Sequence, residues 1–234
     1  MADTGNGRGV AFGDLDNDGD QDFYHTIRLA ADKMFTNDGD GIFTDVSSAA
    51  GIGDTGRCYG VALGDVDADG DVDLYVNIDR SANRLYVNDG SGTFTDGASA
   101  AGVADTGSAN GVAIADVDND GDLDLYVVKQ FGQANKLFLN GGFGTFTDVS
   151  SAAGVADTGW GFGVAFGDFD NDGDQDLYVV NFAQANNLFL NDGSGTFTDG
   201  SSAAGVEDTG TGSGMALADI CLLYTSDAAD EGLG

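Results

Sequence analysis

The sequence contains no proline, two cysteines, one histidine and one tryptophan, and it has few basic residues. Two cysteines, Cys58 and Cys221, are too few for a disulfide framework, and we interpret Cys58 as a small buried hydrophobic residue. No apolar run approaches the roughly 18 residues that a membrane-spanning helix needs, so we expect no membrane insertion. There is no Gly-x-Ser-x-Gly elbow, phosphate-binding loop or Cys–His pair, and His25 has no counterpart elsewhere in the chain. These absences leave little for a catalytic mechanism to use.

Acidic residues outnumber basic ones by 40 to 8, which gives a formal net charge of −32. Such a chain should avoid nucleic acid and anionic membrane surfaces, because their phosphates would repel it. Charge of this size is common in disordered proteins, but the hydrophobic fraction of 41% is sufficient for a core. The 39 glycines favour turns and tight loops over long helices. We therefore expect a folded chain that is rich in short strands.

Half of the acidic residues lie in one recurring sequence, Asp-x-Asp-x-Asp-Gly-Asp-x-Asp. It occupies residues 14–22, 65–73, 116–124 and 168–176, here called acidic loops 1 to 4, and a fifth copy begins at Asp219. Carboxylates at this density repel one another unless a cation lies between them, and oxygen-only ligation suits a hard cation such as Ca²⁺. The glycine at position 6 permits a sharp turn with positive φ. We predict one calcium ion per loop, about four in the complete repeats.

Positions 1, 3, 5 and 9 of each loop are the predicted side-chain ligands, and position 7 contributes its backbone carbonyl. An EF-hand is excluded, because position 12 carries His25 or valine where that motif needs glutamate, and because the flanks are strand-like. An acidic turn without an ion is the alternative. The predicted metal residues are Asp14, Asp16, Asp18, Asp20, Asp22, Asp65, Asp67, Asp69, Asp71, Asp73, Asp116, Asp118, Asp120, Asp122, Asp124, Asp168, Asp170, Asp172, Asp174 and Asp176.

The loops start 51, 51 and 52 residues apart, and a period of this size with short strands is typical of a propeller. In the fourth repeat we predict strands at Gly163–Gly167, Asp176–Val180, Asn187–Leu190 and Gly195–Asp199. The apolar triplets within the strands do not alternate with polar residues, which suits burial on both faces. The predicted units are blades at residues 1–51, 52–102, 103–154 and 155–205, a truncated fifth repeat at 206–219, and an adapter-like, non-native tail at 220–234.

Two segments vary between the repeats: the triplet after each Asp-Thr-Gly, and the connection between the second and third strands. Variation confined to equivalent loops places it on one face, often the binding face. Unconstrained surface is the alternative interpretation. The candidate ligand-face residues are Arg8, Arg57, Tyr59, Asn110, Trp160 and Phe162.

Asp-Thr-Gly is also the sequence around the catalytic aspartates of aspartic proteases, which bring two such carboxylates together. This chain has five copies, one per repeat, and a radial arrangement would keep them apart. We interpret each copy as a structural turn.

The residues from Val164 to Val179 and from Asn187 to Asp199 resemble the FG-GAP/VCBS repeat, in the variety found in proteins similar to cartilage acidic protein and the ASPIC/UnbV group. The resemblance extends over residues 1–219. It implies an all-β, calcium-binding β-propeller related in fold to the integrin α-subunit head and commonly seven-bladed, so that four repeats would be an incomplete piece. It also implies export to the cell surface or the extracellular space, and recognition of protein or carbohydrate.

Together these features predict a non-catalytic, calcium-stabilised extracellular scaffold for adhesion or for recognition of a protein or glycan. One alternative is the accessory propeller portion of a secreted polysaccharide-acting enzyme whose catalytic domain lies outside this chain. A purely structural surface-array protein is another.

Overall fold

The computed structural model describes residues 6–53 and 55–210. Within these residues the chain forms sixteen strands in four separate four-stranded antiparallel sheets, as the repeat pattern predicts. The elements in chain order are β1 (Gly7–Gly13), β2 (Asp22–Ile27), β3 (Lys33–Asn37), β4 (Phe43–Asp45), β5 (Cys58–Gly64), β6 (Asp73–Ile78), β7 (Arg84–Asn88), β8 (Phe94–Asp96), α1 (Ala98–Ala101), β9 (Ala109–Ala115), β10 (Asp124–Lys129), β11 (Lys136–Asn140), β12 (Phe146–Asp148), β13 (Gly161–Gly167), β14 (Asp176–Asn181), β15 (Asn187–Asn191), β16 (Phe197–Asp199) and α2 (Ser201–Ala204).

Each sheet is a meander in which sequential strands pair, and each acidic loop connects the first strand of a blade to the second. In blade 4, Gly167 at the end of β13 pairs with Asp176 at the start of β14, so this pair closes loop 4. The same pairing joins Gly64 to Asp73 in blade 2. The acidic loops and the Asn-Asp-Gly turns therefore lie at one end of the blades, and the variable connections lie at the other.

The first strands of successive blades lie side by side at the centre of the molecule. Glycine is required there, because a Cβ atom on Gly60 would lie 2.2 Å from the carbonyl oxygen of Asn110 in the next blade. A Cβ atom on Gly9 would lie 2.5 Å from the carbonyl oxygen of Tyr59. This close approach gives the arrangement of propeller blades around an axis. The four described blades form an arc and do not close into a ring.

The hydrophobic core consists of three clusters, one between each pair of successive blades. Strand β6 supplies Leu74 and Val76 to the cluster shared with blade 1 and Tyr75 to the cluster shared with blade 3. All six residues of β6 are buried, which confirms the predicted burial on both faces. Fully burying an aliphatic or aromatic side chain of this size contributes about 1.5–3 kcal/mol. Most of the burial of apolar side chains therefore stabilises the contacts between successive blades.

The structure also bears on Cys58, on the connections between blades and on the C-terminal segment. Cys58 is fully buried in the first cluster, as expected. The small-residue connections between blades contain single-turn helices in two repeats, and each helix ends at a glycine with φ of +84° or +70°. The predicted tail at 220–234, Cys221 and the fifth loop at Asp219 lie outside the described residues.

Candidate metal loops and the opposite face

Each acidic loop is folded by hydrogen bonds from its own backbone N–H groups to the carboxylates at positions 1 and 5. In loop 2, Asp65 accepts from the backbone N–H groups of Asp69 (3.2 Å) and Gly70 (3.0 Å). The carboxylate of Asp69 accepts from the N–H of Asp71 (2.9 Å). The position-6 glycine has φ of +96° and open space around it, so only its conformational freedom is needed there. Local sequence thus suffices to curl the loop around its carboxylates.

The position-9 carboxylate is buried and holds the loop to the sheet. Asp124 accepts from the N–H of Val117 in the loop and from the N–H of Asn140 at the end of β11, both at 2.8 Å. Its equivalents Asp22, Asp73 and Asp176 make the same pair of bonds. Burial raises the pKa of Asp73 to about 6 and that of Asp124 to about 7. A divalent cation in contact would oppose this shift, because it favours the ionised form.

In all four loops, carboxylate oxygens from three residues lie within 4.8 Å of one another. Loops 2 to 4 bring together positions 1, 3 and 9, and loop 1 brings together positions 1, 3 and 5. The groups are Asp14, Asp16 and Asp18; Asp65, Asp67 and Asp73; Asp116, Asp118 and Asp124; and Asp168, Asp170 and Asp176.

Loops 1 to 3 fit a cation, because they contain buried carboxylate oxygens with no hydrogen-bond partner. The Oδ1 atoms of Asp16, Asp67 and Asp118, all at position 3, are buried and unpartnered, and so is Oδ1 of Asp14. A buried carboxylate oxygen without a partner is costly, and buried charges are normally paired or coordinate a metal. An all-oxygen donor set matches Ca²⁺. The chemistry of the loops is therefore that of a hard-cation site.

The position-7 carboxylates are not in these groups. The side chains of Asp20, Asp71 and Asp174 lie against the glycine of the Asn-Asp-Gly turn in their own blade, where an added Cβ atom would meet them at 2.6 Å. Asp71 also accepts a hydrogen bond from Asn17 of the preceding blade at 2.6 Å. This is compatible with the prediction that position 7 contributes only its backbone carbonyl. The fifth-position carboxylates Asp69, Asp120 and Asp172 are likewise outside the groups.

The sequence reasoning missed that loops 1 to 3 are also fastened to the next blade. The side-chain amide of Asn140 donates to the carbonyl of Val66, at position 2 of loop 2, at 2.7 Å. Asn88 and Asn191 make the equivalent bonds to Leu15 and Val117. Leu15, Val66 and Val117 are themselves buried in the inter-blade clusters. The recurring asparagine that opens each turn was the signal for this contact, but it was interpreted only as a turn former.

The candidate ligand-face residues lie at the opposite end of the blades. Arg8, Tyr59, Asn110 and Phe162 occupy the same position in successive repeats, and all four line one central cavity of about 430 Å³. Below them the cavity wall is formed by glycine and valine from each first strand. Four chemically different side chains, one per blade, thus surround a single opening.

The other two candidates flank this cavity. Arg57 lies 3.5 Å from the carboxylate of Asp79. The ring of Trp160 packs against those of Phe131, Phe162 and Phe182. The structure therefore brings all six candidate residues to one face.

The Asp-Thr-Gly carboxylates are engaged separately in their own blades. Asp105 forms an ion pair with Lys129, whose side chain is 3% exposed, and Asp157 accepts from the amide of Asn181 at 3.2 Å. The described aspartates of this motif therefore bond to different groups and are not paired with one another. This arrangement matches the structural-turn interpretation. His25 lies on β2 with its ring over Gly7.

Comparison with known proteins decides the family. A model of the FG-GAP-like repeat matches residues 29–76, 69–127, 128–179 and 168–220. The chain belongs to the FG-GAP-like repeat family. It is 31% identical over 186 residues to cartilage acidic protein 1 from human and 30% identical to that from Xenopus tropicalis. Each alignment covers 74% of this chain, and the chain spans 28% of the length of those relatives.

The solved structures that match this chain have lower identities. An Agrocybe aegerita lectin that recognises non-reducing terminal N-acetylglucosamine is 22% identical, with a TM-score of 0.49 over 80% of this chain and 49% of the lectin. The Vibrio cholerae biofilm matrix protein Bap1 is 15% identical, with a TM-score of 0.46 over 80% of this chain and 29% of Bap1. In the described part of this FG-GAP-like chain, no helix is long and apolar enough to cross a membrane.

Proposed function

We propose that this FG-GAP-like chain is a calcium-stabilised, non-catalytic recognition scaffold that works outside the cell and binds a protein or glycan through the face opposite its acidic loops. The observation that carries the metal assignment is the set of buried, unpartnered carboxylate oxygens at position 3 of three loops. Positions 1, 3, 5 and 9 would hold the ion with their side chains, and position 7 with its carbonyl.

Calcium in these loops would offset the repulsion among five carboxylates and fix the connection between the first two strands of each blade. Extracellular calcium modules typically bind with dissociation constants of about 10⁻⁴–10⁻³ M. At about 1 mM calcium, mass action then stabilises the fold by roughly 0.4–1.4 kcal/mol per site. Several such sites are a large share of a typical domain stability of about 5–15 kcal/mol. Loops of this kind are useful where calcium is abundant, and this supports an extracellular location.

Recognition is assigned to the opposite face because sequence variation is concentrated there. The blades repeat the same glycine, valine and aspartate positions, but the cavity opening carries arginine, tyrosine, asparagine and phenylalanine at one equivalent position. A purely structural repeat has no need for four different side chains at that place. The variable residues are therefore the ones we assign to ligand contact.

Binding arrays of immobilised glycans and extracellular proteins, probed with the full chain at millimolar calcium and again with excess EDTA, test this function. We expect a restricted set of ligands that is lost when Tyr59 or Asn110 is replaced by alanine. Replacement of Asp40 by alanine, in an exposed turn at the acidic-loop end, serves as the control and should leave binding unchanged. Binding that survives the cavity variants would contradict the assignment of the face.

A further inference from the structure

The few basic residues of this chain are divided between two places. Three begin the third strands of blades 1 to 3 and are paired with an aspartate of the fourth strand: Lys33 with Asp45, Arg84 with Asp96 and Lys136 with Asp148. The other five lie on or beside the first and second strands, at the end of the blades that is opposite the acidic loops: Arg8, Arg28, Arg57, Arg80 and Lys129. Positive charge in this strongly acidic chain is therefore concentrated on the candidate ligand face.

Four of these cations, Arg8, Arg28, Arg57 and Arg80, lie near one another on blades 1 and 2 and are here called the arginine cluster. The guanidinium of Arg8 lies over the ring of Tyr59 at 5.4 Å, and the backbones of Arg28 and Arg57 form a β-bridge. Arg57 and Arg80 lie 3.5 and 3.7 Å from the same carboxylate, that of Asp79. Among the described residues, Asp79 is the one carboxylate within ion-pair distance of this cluster. Among the described residues, Arg57 and Arg80 thus share one carboxylate, and Arg8 and Arg28 add two further positive charges to the same part of the face.

An aromatic shelf lies at the junction of blades 3 and 4. The ring of Trp160 is 5.0 Å from that of Phe131 and 5.1 Å from that of Phe182, and Phe162 is 5.4 Å from Phe182. Phe131 is 56% exposed and has φ of +56°, so the backbone carries a large apolar residue outward in a left-handed turn. The indole Nε1 of Trp160 is buried and has no hydrogen-bond partner. The shelf thus combines apolar ring faces with an unused donor.

The repeat architecture does not require this shelf. The equivalent residues at the junction of blades 1 and 2 are Leu29, Arg57, Tyr59 and Asp79, and those at the junction of blades 2 and 3 are Arg80, Ser108, Asn110 and Gln130. The same backbone positions therefore accept aliphatic, charged and amide side chains. Four aromatic residues at one junction point to a use that differs from holding the blades together.

The arginine cluster and the aromatic shelf share the central cavity, because Arg8 and Phe162 both line it. We propose that this face binds an acidic oligosaccharide built from uronic acids, with its carboxylates at the arginine cluster and its sugar rings on the aromatic shelf. This inference rests on the proposed recognition function and specifies its ligand class.

The chemistry of both halves favours this ligand over a neutral glycan or an apolar peptide. Guanidinium groups pair with carboxylates through two parallel hydrogen bonds, so the cluster selects for negative charge. The C–H faces of a pyranose ring are apolar and flat enough to pack on aromatic rings such as those of the aromatic shelf. A neutral sugar would leave the cations unused. The net charge of −32 would repel any polyanion that did not reach this cluster.

Calorimetric titration of the full chain with hexagalacturonate at millimolar calcium tests the proposal, with the fully methyl-esterified hexamer as the neutral probe. We expect the free acid to bind at least about tenfold more tightly than the ester, a difference of about 1.4 kcal/mol. Affinity should fall as salt is raised, because the Arg–carboxylate contacts are screened. The Arg8→Ala/Arg80→Ala double variant should remove the preference for the acid.

Two matched variants separate the face from general effects. Phe131→Ala should weaken both probes about tenfold, whereas Phe143→Ala should not, although Phe143 is 86% exposed and also has a left-handed backbone, with φ of +55°. Lys136→Ala removes one positive charge from the third strand of blade 3, which does not line the cavity, and should leave binding unchanged. Equal affinity for acid and ester would overturn the acidic-ligand inference and leave glycan recognition intact. Binding that persists in both the arginine and Phe131 variants would show calcium bridging to the acidic loops, and would overturn the site itself.

Discussion

The side-chain amide of Asn17 donates a 2.6 Å hydrogen bond to the carboxylate of Asp71, which joins acidic loop 1 to acidic loop 2. The same amide donates to the carbonyl of Gly90 in the blade 2 turn at 3.2 Å. Asn119 of loop 3 repeats both contacts with Asp174 (2.9 Å) and Gly193 (3.2 Å) of blade 4. Successive blades are therefore held together at their loops as well as through their cores.

The junction between blades 2 and 3 lacks this connection, because the equivalent residue of loop 2 is Ala68. Its φ is +61°, a conformation that asparagine tolerates better than alanine. We expect Ala68→Asn to raise the free energy of unfolding by about 1–2 kcal/mol, through lower backbone strain and a new bond to Asp122. Thermal and urea unfolding measure the change.

The control variant Ala68→Gly relieves the strain without supplying an amide. It should therefore give only part of the increase. If the asparagine variant is no more stable than the glycine variant, the contact from position 4 to the next loop does not contribute to the free energy of unfolding.

The turn asparagines of blades 2 to 4 supply the second contact between loops and neighbouring blades. Asn140 donates to the carbonyls of Val66 (2.7 Å) and Leu123 (3.2 Å), and its removal leaves buried acceptors unpaired. We expect Asn140→Ala to lower the free energy of unfolding by about 1–3 kcal/mol and to weaken calcium binding by loop 2. Calorimetric titration and urea unfolding report these two effects.

Asn37 is the matched control, because its amide makes one longer bond, to Gln21 at 3.3 Å, within its own blade. Asn37→Ala should cost less than half as much as Asn140→Ala. Equal losses would mean that the bond between blades is not what stabilises the loop.

The Lys129–Asp105 ion pair is a buried polar element specific to blade 3. Lys129 also donates to the carbonyl of Thr106 at 3.1 Å, and its side chain is 3% exposed. Lys129→Met would leave the Asp105 carboxylate without its partner, and we expect a loss of about 2–4 kcal/mol in the free energy of unfolding. The double variant Lys129→Met/Asp105→Asn should recover more than half of that loss, because no charge remains unpaired. A double variant as unstable as the single one would assign the loss to packing alone.

The repeat and the strands follow from period and spacing, as in Gly167–Asp176, where strand and loop meet. The spacing also predicts that the carboxylates at positions 1, 3 and 9 meet, as they do in loops 2 to 4, but it gave no reason for position 5 to lie outside those groups. The contacts between blades could not be read in this way. Asn140 and Val66 are 74 residues apart, and their hydrogen bond depends on how one sheet packs on the next. A local pattern assigns Asn140 to a turn, but only the propeller arrangement directs its amide toward the preceding loop.

The ligand face, too, was only partly predictable from the sequence. Variation among the repeats identified Arg8, Tyr59, Asn110 and Phe162 as candidates, but their equivalence to one another gave no information about a shared cavity. That cavity depends on the close approach of the first strands at glycines such as Gly60. The partners of Trp160 come from two different blades, so the aromatic shelf was also beyond the reach of the sequence pattern.

Calcium titration of the EDTA-treated full chain, followed by thermal unfolding with and without millimolar calcium, tests the metal assignment most directly. We expect about four ions to bind and the melting temperature to rise with calcium. Asp118→Asn, at position 3 of loop 3, should remove one ion from the count, whereas Asp40→Asn in an exposed turn should remove none. A melting temperature that ignores calcium, with no binding heat, would mean that the four loops are solvated acidic turns.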